Sequence, residues 1–467
     1  MGKSNESILL INPPPPEGAF VHYHNPPLGL AYISAILEDK YDVKILDCPA
    51  SNIGYGNLKE KILQIKPKIA GLTAATVVFP SALRVAKIVK EVYPDCVTVL
   101  GGPHATLMDK DIIRENPEID VIVRGEGEVT FLELTKVILD VEGNLKDVAG
   151  ITFRNEGCVI RTNDRPYIMN LDQLPYPSFQ HFPLKKYRRF GYLILPVLSS
   201  RGCPFNCAFC SAPKIAGRQV RMRNPQKVVD ELEYMKKAFS PDAFTFHDET
   251  FTYNSERVYE LCNEIIRRKL HVPWDCSTRV DCVSREILIK MAEANCQLIS
   301  FGIESGSQEM LNIMRKGTTV RQGEKAIKYA KDAGLCVSIS LIIGYPGETV
   351  ESMAQTFDFI RRTEPDSVEL SIATPYPGTE LYDIVKEMGY KVEWDWERFD
   401  MQTSVIHEPF IGKINLKKIR QKFYNEFYTP NYIVRHWVKG TFYSRLLARV
   451  AVNHILNRIK KIIILGL

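Results

Sequence analysis

The sequence predicts an α/β protein built from two consecutive parallel-sheet units, and three observations indicate this. Residues 7–140 alternate short apolar runs with amphipathic stretches, and a second series of the same kind follows from residue 191 to 385. Such alternation is typical of βαβ units, which form parallel sheets covered by helices. At 467 residues the chain is also longer than a single hydrophobic core usually supports.

The first series predicts a doubly wound sheet within residues 1–145. Helical patterns, for example at 28–37 and 81–92, separate predicted strands at 8–11, 43–46, 69–72, 98–100 and 121–123. The segments NPPPPEG, TAAT, GGPHAT and RGEGE follow the strands. In an open parallel sheet, ligands bind beyond the carboxyl ends of the strands, so these loops are the candidate binding elements.

The second series predicts a partial barrel of six βα units within residues 191–385. Its strands are expected at 192–198, 243–247, 274–278, 298–302, 337–343 and 367–373. The working face of such a barrel is again the carboxyl side of the strands. We expect residues 146–190 to form a small β-rich linker and residues 386–467 to form a helical C-terminal region.

Composition limits the function classes. Apolar residues make up 45% and charged residues 25% of the chain, as in an ordinary globular protein, and the net charge of +5 does not by itself indicate nucleic-acid binding. The N-terminus has too short an apolar run for a secretory signal, and no run of about 20 apolar residues predicts a membrane span. Eleven cysteines without a signal sequence favour a reducing, cytoplasmic location.

The C-terminal tail has a different composition. Residues 427–467 contain no Asp or Glu but seven Lys or Arg. Within 442–464, apolar residues recur at helical spacing with basic residues between them. A basic amphipathic helix can lie on the inner face of a membrane, and it can equally pack on its own domain. The apolar positions are Leu446, Leu447, Val450, Ile455, Ile459 and Ile462.

Three cysteines stand within the segment SSRGCPFNCAFCSAP, directly after a predicted strand. Cys203, Cys207 and Cys210 have the spacing C-x3-C-x2-C. Cysteine thiolates are soft ligands that suit zinc or iron–sulfur clusters. A zinc site would need a fourth ligand, for which Cys262, Cys276, Cys282 and Cys296 are candidates.

The segment CPFNCAFC resembles the cluster motif of the radical S-adenosylmethionine (SAM) superfamily. In that family three thiolates hold a [4Fe-4S] cluster, and the iron without a protein ligand binds SAM. The resemblance implies reductive cleavage of SAM to a 5′-deoxyadenosyl radical. It also implies a flavodoxin- or ferredoxin-like electron donor.

Motifs after the later strands match SAM-binding positions of the family. Asp248 and Glu249 in FHDETF match a motif that meets the amino group of SAM, although strand-end carboxylates can also cap the next helix. Arg279 in STRVD is expected to pair with a carboxylate, of SAM or of Glu304 in SFGIESG. Glu304 matches a position that contacts the ribose or carboxylate of SAM, and Gly344 in SLIIGYPGET lies in a further matching segment. Phe209 matches an aromatic residue that borders the adenine of SAM, although it can equally serve ordinary packing.

The N-terminal segments resemble the cobalamin-binding domain that precedes the barrel in one radical SAM subgroup. The resemblance implies a Rossmann-like, flavodoxin-like fold and a corrinoid held by strand-end residues; each loop alone could equally contact a nucleotide phosphate. The D-x-H-x-x-G string that supplies a cobalt-ligating histidine elsewhere is absent, so we expect cobalamin without that ligand. The matching residues are Asn12, Thr73, Gly101, Gly102, His104, Gly125, Glu126 and Gly127.

The two resemblances together imply a cobalamin-dependent radical SAM enzyme. Our first hypothesis is methylation of an unactivated carbon, with methylcobalamin as the methyl donor. An oxidative cyclase or another radical rearrangement without methyl transfer is the alternative, and a non-catalytic iron–sulfur or corrinoid carrier is the third. The basic tail favours a lipid or another apolar substrate, and no nucleic-acid partner is expected.

Overall fold

The computed structural model describes residues 4–16, 25–407 and 414–465. The first unit is a seven-stranded sheet in the order β2-β1-β3-β4-β5-β6-β7, of which β1 to β5 are parallel and β6 and β7 antiparallel. The order 2-1-3-4-5 is that of a flavodoxin-like fold. The strands are β1 (Ser4–Asn12), β2 (Tyr41–Asp47), β3 (Ile69–Thr73), β4 (Val97–Gly101), β5 (Val121–Val123), β6 (Ile151–Asn155) and β7 (Cys158–Arg161).

Helices cover both faces of this sheet. Its strands read as nearly continuous apolar runs because both faces are buried, as the fully buried segment 8–11 of β1 illustrates. The last helix, α7, continues as a π-helical turn at Lys136–Asp140. The helices are α1 (Leu28–Leu37), α2 (Cys48–Ser51), α3 (Tyr55–Ile65), α4 (Phe79–Val92), α5 (Pro103–Leu107), α6 (Asp109–Glu115) and α7 (Gly127–Thr135).

The second unit is a six-stranded parallel sheet in the order β15-β14-β13-β12-β11-β8. Strands β8 and β15 are its two edges, so the barrel is open between them. A two-stranded antiparallel pair, β9 with β10, flanks the cysteine segment. The strands are β8 (Ile194–Val197), β9 (Ser200–Arg201), β10 (Arg221–Met222), β11 (Ala243–Phe246), β12 (Trp274–Arg279), β13 (Cys296–Glu304), β14 (Cys336–Ile343) and β15 (Ser367–Ile372).

The helices of the barrel pack on its outer face. Several begin with side-chain caps; Thr319 and Thr349, for example, each form a capping box at the start of α13 and α14. The helices are α8 (Ala212–Ile215), α9 (Pro225–Phe239), α10 (Ser255–Arg267), α11 (Arg285–Glu293), α12 (Gln308–Ile313), α13 (Val320–Asp332), α14 (Val350–Thr363) and α15 (Glu380–Glu387). Short 3-10 turns lie at Thr76–Val78, Leu145–Asp147, Leu171–Gln173, Phe179–His181, Leu184–Tyr187, Val280–Cys282 and Trp396–Arg398.

The predicted α/β fold class and the six βα units of the barrel are confirmed. The segment expected to form a β-rich linker contributes β6 and β7, which extend the first sheet beyond β5. In its described residues, the C-terminal region contains the strand pair β16 (Lys391–Val392) with β17 (Ile406–His407) and the helices α16 (Leu416–Phe427), α17 (Pro430–Lys439) and α18 (Phe442–Leu465).

Helix α18 divides into a packed half and an exposed half. Leu446 and Leu447 are buried with Tyr443 against Ala243 and Leu298 at the amino ends of the barrel strands. The later apolar residues Val452, Leu456 and Ile459 are exposed. The side chain of Ile462, which belongs to the same sequence pattern, lies outside the described residues. Among the residues described, no helix is long and apolar enough to cross a membrane.

Candidate functional site

The three cysteines lie on one loop that follows β9 at the carboxyl side of the barrel. All three are partly exposed. The loop is tied to its surroundings by backbone hydrogen bonds from Cys203 N to Gly217 O (3.0 Å) and from Ala208 N to Met314 O (2.9 Å). Gly202 precedes it with φ of +101°, and a Cβ there would lie 2.3 Å from Gln219 O. Glycine is therefore required where the chain enters the loop.

Two cations face the thiols. Arg279 Nη1 lies 3.6 Å from the Sγ atom of Cys207. Burial raises the pKa of Cys207, while the nearby Lys316 and Arg279 act to lower it. Burial likewise raises the pKa of Cys210 to about 11. Positive charges favour the thiolate forms that a metal cluster requires, so the loop and its cations fit a thiolate-ligated cluster.

Three of the four candidate fourth ligands for zinc are poorly placed. Cys262, Cys276 and Cys296 are buried in the hydrophobic core of the barrel. Cys282 is only partly buried and lies just beyond β12. Cys282 is therefore the candidate that a four-thiolate site would require.

Asp248 and Glu249 follow β11 but face different surroundings. Asp248 is buried and accepts hydrogen bonds from Ser199 N (2.8 Å), Ser199 Oγ (2.6 Å) and Ser200 Oγ (2.5 Å). Its oxygens thus hold the segment that leads into the cysteine loop. Glu249 accepts a hydrogen bond from Gly202 N (3.2 Å) and lines a cavity between the two sheets. Of the two carboxylates, Glu249 is the one turned toward ligand space.

The ion pairs at the ends of β12 and β13 differ from the expected pairing. Arg279 is paired with Asp281, through Nε to Oδ1 and Nη2 to Oδ2 at 2.9 Å each, and not with Glu304. Glu304 instead accepts a hydrogen bond from Lys316 Nζ at 2.8 Å, in a buried pair. A Cβ at Gly302 would lie 2.6 Å from Glu304 Oε1, so the glycine leaves space for this pair.

Sequence reasoning missed Lys316. Its Nζ lies 5.9 Å from the ring centroid of Phe209, and it lies twelve residues beyond Glu304 in a loop between α12 and α13. No spacing pattern marks that loop, so only the folded chain reveals the contact. Phe209 and Glu304 line a common cavity of about 220 Å³ in the barrel.

Gly344 occupies a sharp turn after β14. Its φ is +76°, and a Cβ there would lie 2.4 Å from a methyl carbon of Leu416 on α16. The backbone N of Gly344 donates to the carboxylate of Glu348 at 2.5 Å. Burial raises the pKa of Glu348 to about 7. The immediate neighbours of Gly344 are therefore protein groups, and its contact with SAM stays a prediction.

The carboxyl ends of the first sheet line a cavity of about 300 Å³ that the barrel closes from the other side. Leu198, Arg201, Ile215, Ala216 and Glu249 are the barrel residues in its wall. Six of the residues predicted to bind cobalamin also lie in its wall: Thr73, Gly101, Gly102, Gly125, Glu126 and Gly127.

Two glycines shape this cavity in different ways: Gly102 allows a tight turn, and Gly125 leaves the backbone uncovered. Gly102 has φ of +100°, and a Cβ there would lie 2.8 Å from Ala74 O, so this glycine permits a tight turn after β4. Gly125 has φ of +67° and nothing within 4 Å of the position of a Cβ. The backbone at Gly125 is thus bare toward open space. Such a surface fits a flat macrocycle that approaches the backbone closely.

His104 and Asn12 do not line the cavity. His104 is buried on the other side of its turn, with Nδ1 3.2 Å from Thr76 Oγ1 and its ring between Phe79 and Trp396. Burial lowers the pKa of His104 to about 4. Asn12 Nδ2 donates to Asp47 Oδ1 at 3.1 Å. Both side chains are occupied by packing or hydrogen bonds with protein groups, which for His104 include Trp396 of the C-terminal region.

A network of buried ion pairs joins the two units. Arg201 contacts Glu126 (3.0 Å) and Glu128 (2.5 Å), and Arg221 contacts Glu126 (2.7 Å). All four side chains are nearly inaccessible to solvent. Glu126 was predicted as a cobalamin contact, and the structure makes it the shared partner of two barrel arginines. Arg201 lies two residues before Cys203 in the cysteine segment, and Arg221 stands in none of the motifs described above.

Comparison with known proteins identifies the family. The description "Radical SAM superfamily" matches residues 197–360, and "B12 binding domain" matches residues 18–135. An uncharacterized methyltransferase of Pyrococcus horikoshii is 35% identical over 424 residues, which span 90% of this chain and 92% of the relative. The chain belongs to the radical SAM superfamily. Within it, this chain carries the B12-binding domain ahead of the radical SAM domain.

Other relatives of this radical SAM protein differ in their reactions. An anaerobic magnesium-protoporphyrin IX monomethyl ester cyclase of Rubrivivax gelatinosus is 35% identical over 405 residues, covering 83% of this chain and 71% of the cyclase. The structure of the methyltransferase TsrM from Kitasatospora setae, solved with cobalamin and a [4Fe-4S] cluster, superposes with a TM-score of 0.70 at 18% identity, covering 82% of this chain and 75% of TsrM. The family and the fold are therefore shared with enzymes of both kinds.

Proposed function

We propose that this protein is a cobalamin-dependent radical SAM methyltransferase that acts on an unactivated carbon of a small molecule. One observation carries the proposal: residues from the carboxyl ends of both sheets line a single cavity, with Gly101 and Gly125 on one side and Arg201 and Glu249 on the other. Arg201 and Glu249 stand next to the cysteine loop. A methyl donor and a radical source held on these two edges would therefore meet at one place.

When bound, SAM and the cluster would supply the radical that removes a hydrogen atom from a substrate carbon, and cobalamin would supply the methyl group. Cys203, Cys207 and Cys210 would hold the cluster, and the bare backbone at Gly125 would lie against the corrinoid. The chain's own contribution is orientation and the exclusion of water from a reactive intermediate.

The experiment is anaerobic purification followed by SAM turnover under reducing conditions. We expect about four irons and one cobalt per chain. We also expect both S-adenosylhomocysteine, from remethylation of cobalt, and 5′-deoxyadenosine among the products. Iron without cobalt would contradict the methyltransferase assignment.

The product pattern also separates the other hypotheses. A cyclase or another rearrangement without methyl transfer gives 5′-deoxyadenosine without S-adenosylhomocysteine. A non-catalytic carrier cleaves no SAM at all. The reaction needs an electron for each cleavage, and we propose a flavodoxin- or ferredoxin-like donor, which should replace a chemical reductant in the same assay.

We further propose a peripheral contact with an anionic membrane surface through the C-terminal helices. Val434, Trp437 and Val438 on α17 are exposed, and their spacing places them on one side of the helix. The basic composition of the tail would favour anionic lipids. Replacing Trp437 and Val438 by serine should release the protein from phosphatidylglycerol vesicles; equal sedimentation of both forms would contradict this contact.

A further inference from the structure

Four serines stand side by side across four neighbouring strands of the barrel. In the sheet register, Ser277 of β12 pairs with Ser300 of β13, Ser300 with Ser338 of β14, and Ser338 with Ser367 of β15. We call these four residues the serine row. Central strands of parallel sheets are normally apolar on both faces, so a row of hydroxyl groups is unusual there.

The serine row faces the interior of the barrel. The residues beside it in sequence, including Ile299, Phe301, Val337 and Ile339, are buried in the core between the sheet and its outer helices. Side chains alternate between the two faces of a strand, so the serines point to the opposite face. Ser277 is exposed and the other three are partly exposed, which shows that the interior is an open space.

A carboxylate stands next to this row on the side toward the cysteine loop. Glu369 of β15 pairs in register with Ser340, and Ser340 pairs with Gly302. The Ser340 side chain acts to lower the pKa of the Glu369 carboxyl group. Glu369 also lines the same cavity as Phe209 and Glu304.

Glu369 has no ion-pair partner in the described chain. No Lys, Arg or His nitrogen among the described residues lies within 4.0 Å of its oxygens, whereas Glu304 in the same cavity is paired with Lys316. Arg420 is nearby, but its Nε donates to Leu370 O and its Nη1 to Gln402 Oε1, each at 2.7 Å. The Glu369 side chain is exposed on this face of the sheet; partial desolvation by the surrounding barrel and the charge of Glu304 raise its pKa, while the charge of Arg420 acts to lower it.

This lining discriminates among substrate classes. A carboxylate only accepts hydrogen bonds, and a substrate anion would be repelled by Glu369. A wholly apolar substrate would displace water and leave Glu369 and the hydroxyl groups without hydrogen-bond partners, which is unfavourable for each group. A positively charged nitrogen would satisfy Glu369, while the serine row could accept or donate further hydrogen bonds.

We propose that the barrel binds a substrate that carries a positively charged nitrogen, held by Glu369 and flanked by the serine row. This rests on the proposed function, because it assigns the barrel interior to the substrate of the same reaction. It replaces the apolar substrate that the tail alone suggests. Leu446 and Leu447, on which that suggestion partly depends, are buried against the barrel.

The test compares three probes of equal length, hexylamine, 1-hexanol and hexanoate, by calorimetry on the holoenzyme with cluster, cobalamin and SAM bound. We expect hexylamine to bind best and hexanoate worst. Glu369→Gln should weaken hexylamine at least about tenfold and leave 1-hexanol unchanged, since a tenfold loss corresponds to about 1.4 kcal/mol. Glu351→Gln, at an exposed position in the first turn of α14, is the matched control and should change nothing.

Two results would overturn the proposal. One is that the wild-type protein binds hexylamine no better than 1-hexanol and hexanoate, or that Glu369→Gln keeps the same preference for hexylamine. The other is a tenfold loss of SAM affinity in Glu369→Gln, which would assign the carboxylate to the SAM site. Ser338→Ala provides a second variant that keeps the charge and should weaken hexylamine and 1-hexanol alike. Failure of the proposed function is read separately, from cobalt content and S-adenosylhomocysteine.

Discussion

The two sheets present different chemistry at edges that face each other. The carboxyl edge of the first sheet is largely bare glycine backbone with apolar walls, at Gly101, Gly102 and Gly125, and its acidic residues Glu126 and Glu128 are paired with Arg201 of the barrel. The barrel edge carries thiols and buried charges, including the pair of Lys316 with Glu304. Both are parallel α/β sheets, so the fold does not set this difference. The difference comes from the residues in the loops after the strands, which suit one edge to a flat ligand and the other to a metal cluster.

The largest effect is expected from removing thiols on the barrel edge. Cys207→Ala should abolish iron binding and SAM cleavage, because all three thiolates are needed to hold the cluster that leaves one iron for SAM. Cobalt binding should be retained, since the glycine edge is unchanged. Iron and cobalt content and 5′-deoxyadenosine formation measure the outcome.

The matched control for this variant is Cys282→Ala. Cys282 is partly buried beyond β12 and is the remaining candidate for a fourth metal ligand. Full iron content and normal SAM cleavage are expected. Loss of metal from Cys282→Ala would instead establish a four-thiolate site, and the two edges would then no longer divide cofactor binding as described.

The reciprocal change is made on the glycine edge. Gly125→Leu places a side chain in open space and should lower cobalt content at least about tenfold, while iron content and 5′-deoxyadenosine formation persist. Gly157→Leu is the control: Gly157 also has positive φ (+80°) and nothing within 4 Å of a Cβ, but it lies in the exposed turn between β6 and β7. Both variants bear similar backbone strain of about 1–2 kcal/mol. Equal cobalt content in the two would contradict a corrinoid at Gly125.

These edges also show what sequence alone could and could not predict. Strand positions were predictable because buried parallel strands are continuous apolar runs bounded by glycine or polar loops, as at 69–72. The cysteine loop was predictable because its spacing is local. Lys316 and Arg221 were not, since their partners Glu304 and Glu126 are brought to them by the fold. For His104 the position of the loop could be predicted but the direction of the side chain could not: the loop faces the cavity, and the imidazole is buried beside Trp396.

A smaller effect is expected where the two edges are joined. Glu126→Gln removes the shared partner of Arg201 and Arg221 in a buried network, and breaking such a pair costs about 3–5 kcal/mol. The unfolding midpoint should fall, and proteases should cut between the two units more readily. Asp358→Asn, which removes the partner of the exposed Arg361 on α14, should change the free energy of unfolding by less than about 1 kcal/mol. Equal effects in the two variants would show that the network does not hold the edges together.

The smallest effect concerns a feature that only the barrel has, a floor closed by α18. Tyr443 and Thr245 donate hydrogen bonds to the partly buried Asp275, yet desolvation raises the pKa of Asp275 to about 6. Because this folded-state pKa lies above the ordinary value of 3.8, the contribution of Asp275 to stability is full below about pH 4 and is lost as the pH rises through 6. Asp275→Asn stays neutral, so between pH 5 and 7.5 its free energy of unfolding should rise relative to that of the wild type by about 1.4 kcal/mol, which corresponds to about one pKa unit. Asp332→Asn, at an exposed position that ends α13, should show no such change with pH. If the difference in free energy of unfolding between wild type and Asp275→Asn stays constant or shrinks as the pH rises, the Asp275 carboxylate is charged at the closed end of the barrel without loss of stability. The difference between the two sheets would then be confined to the carboxyl ends of their strands.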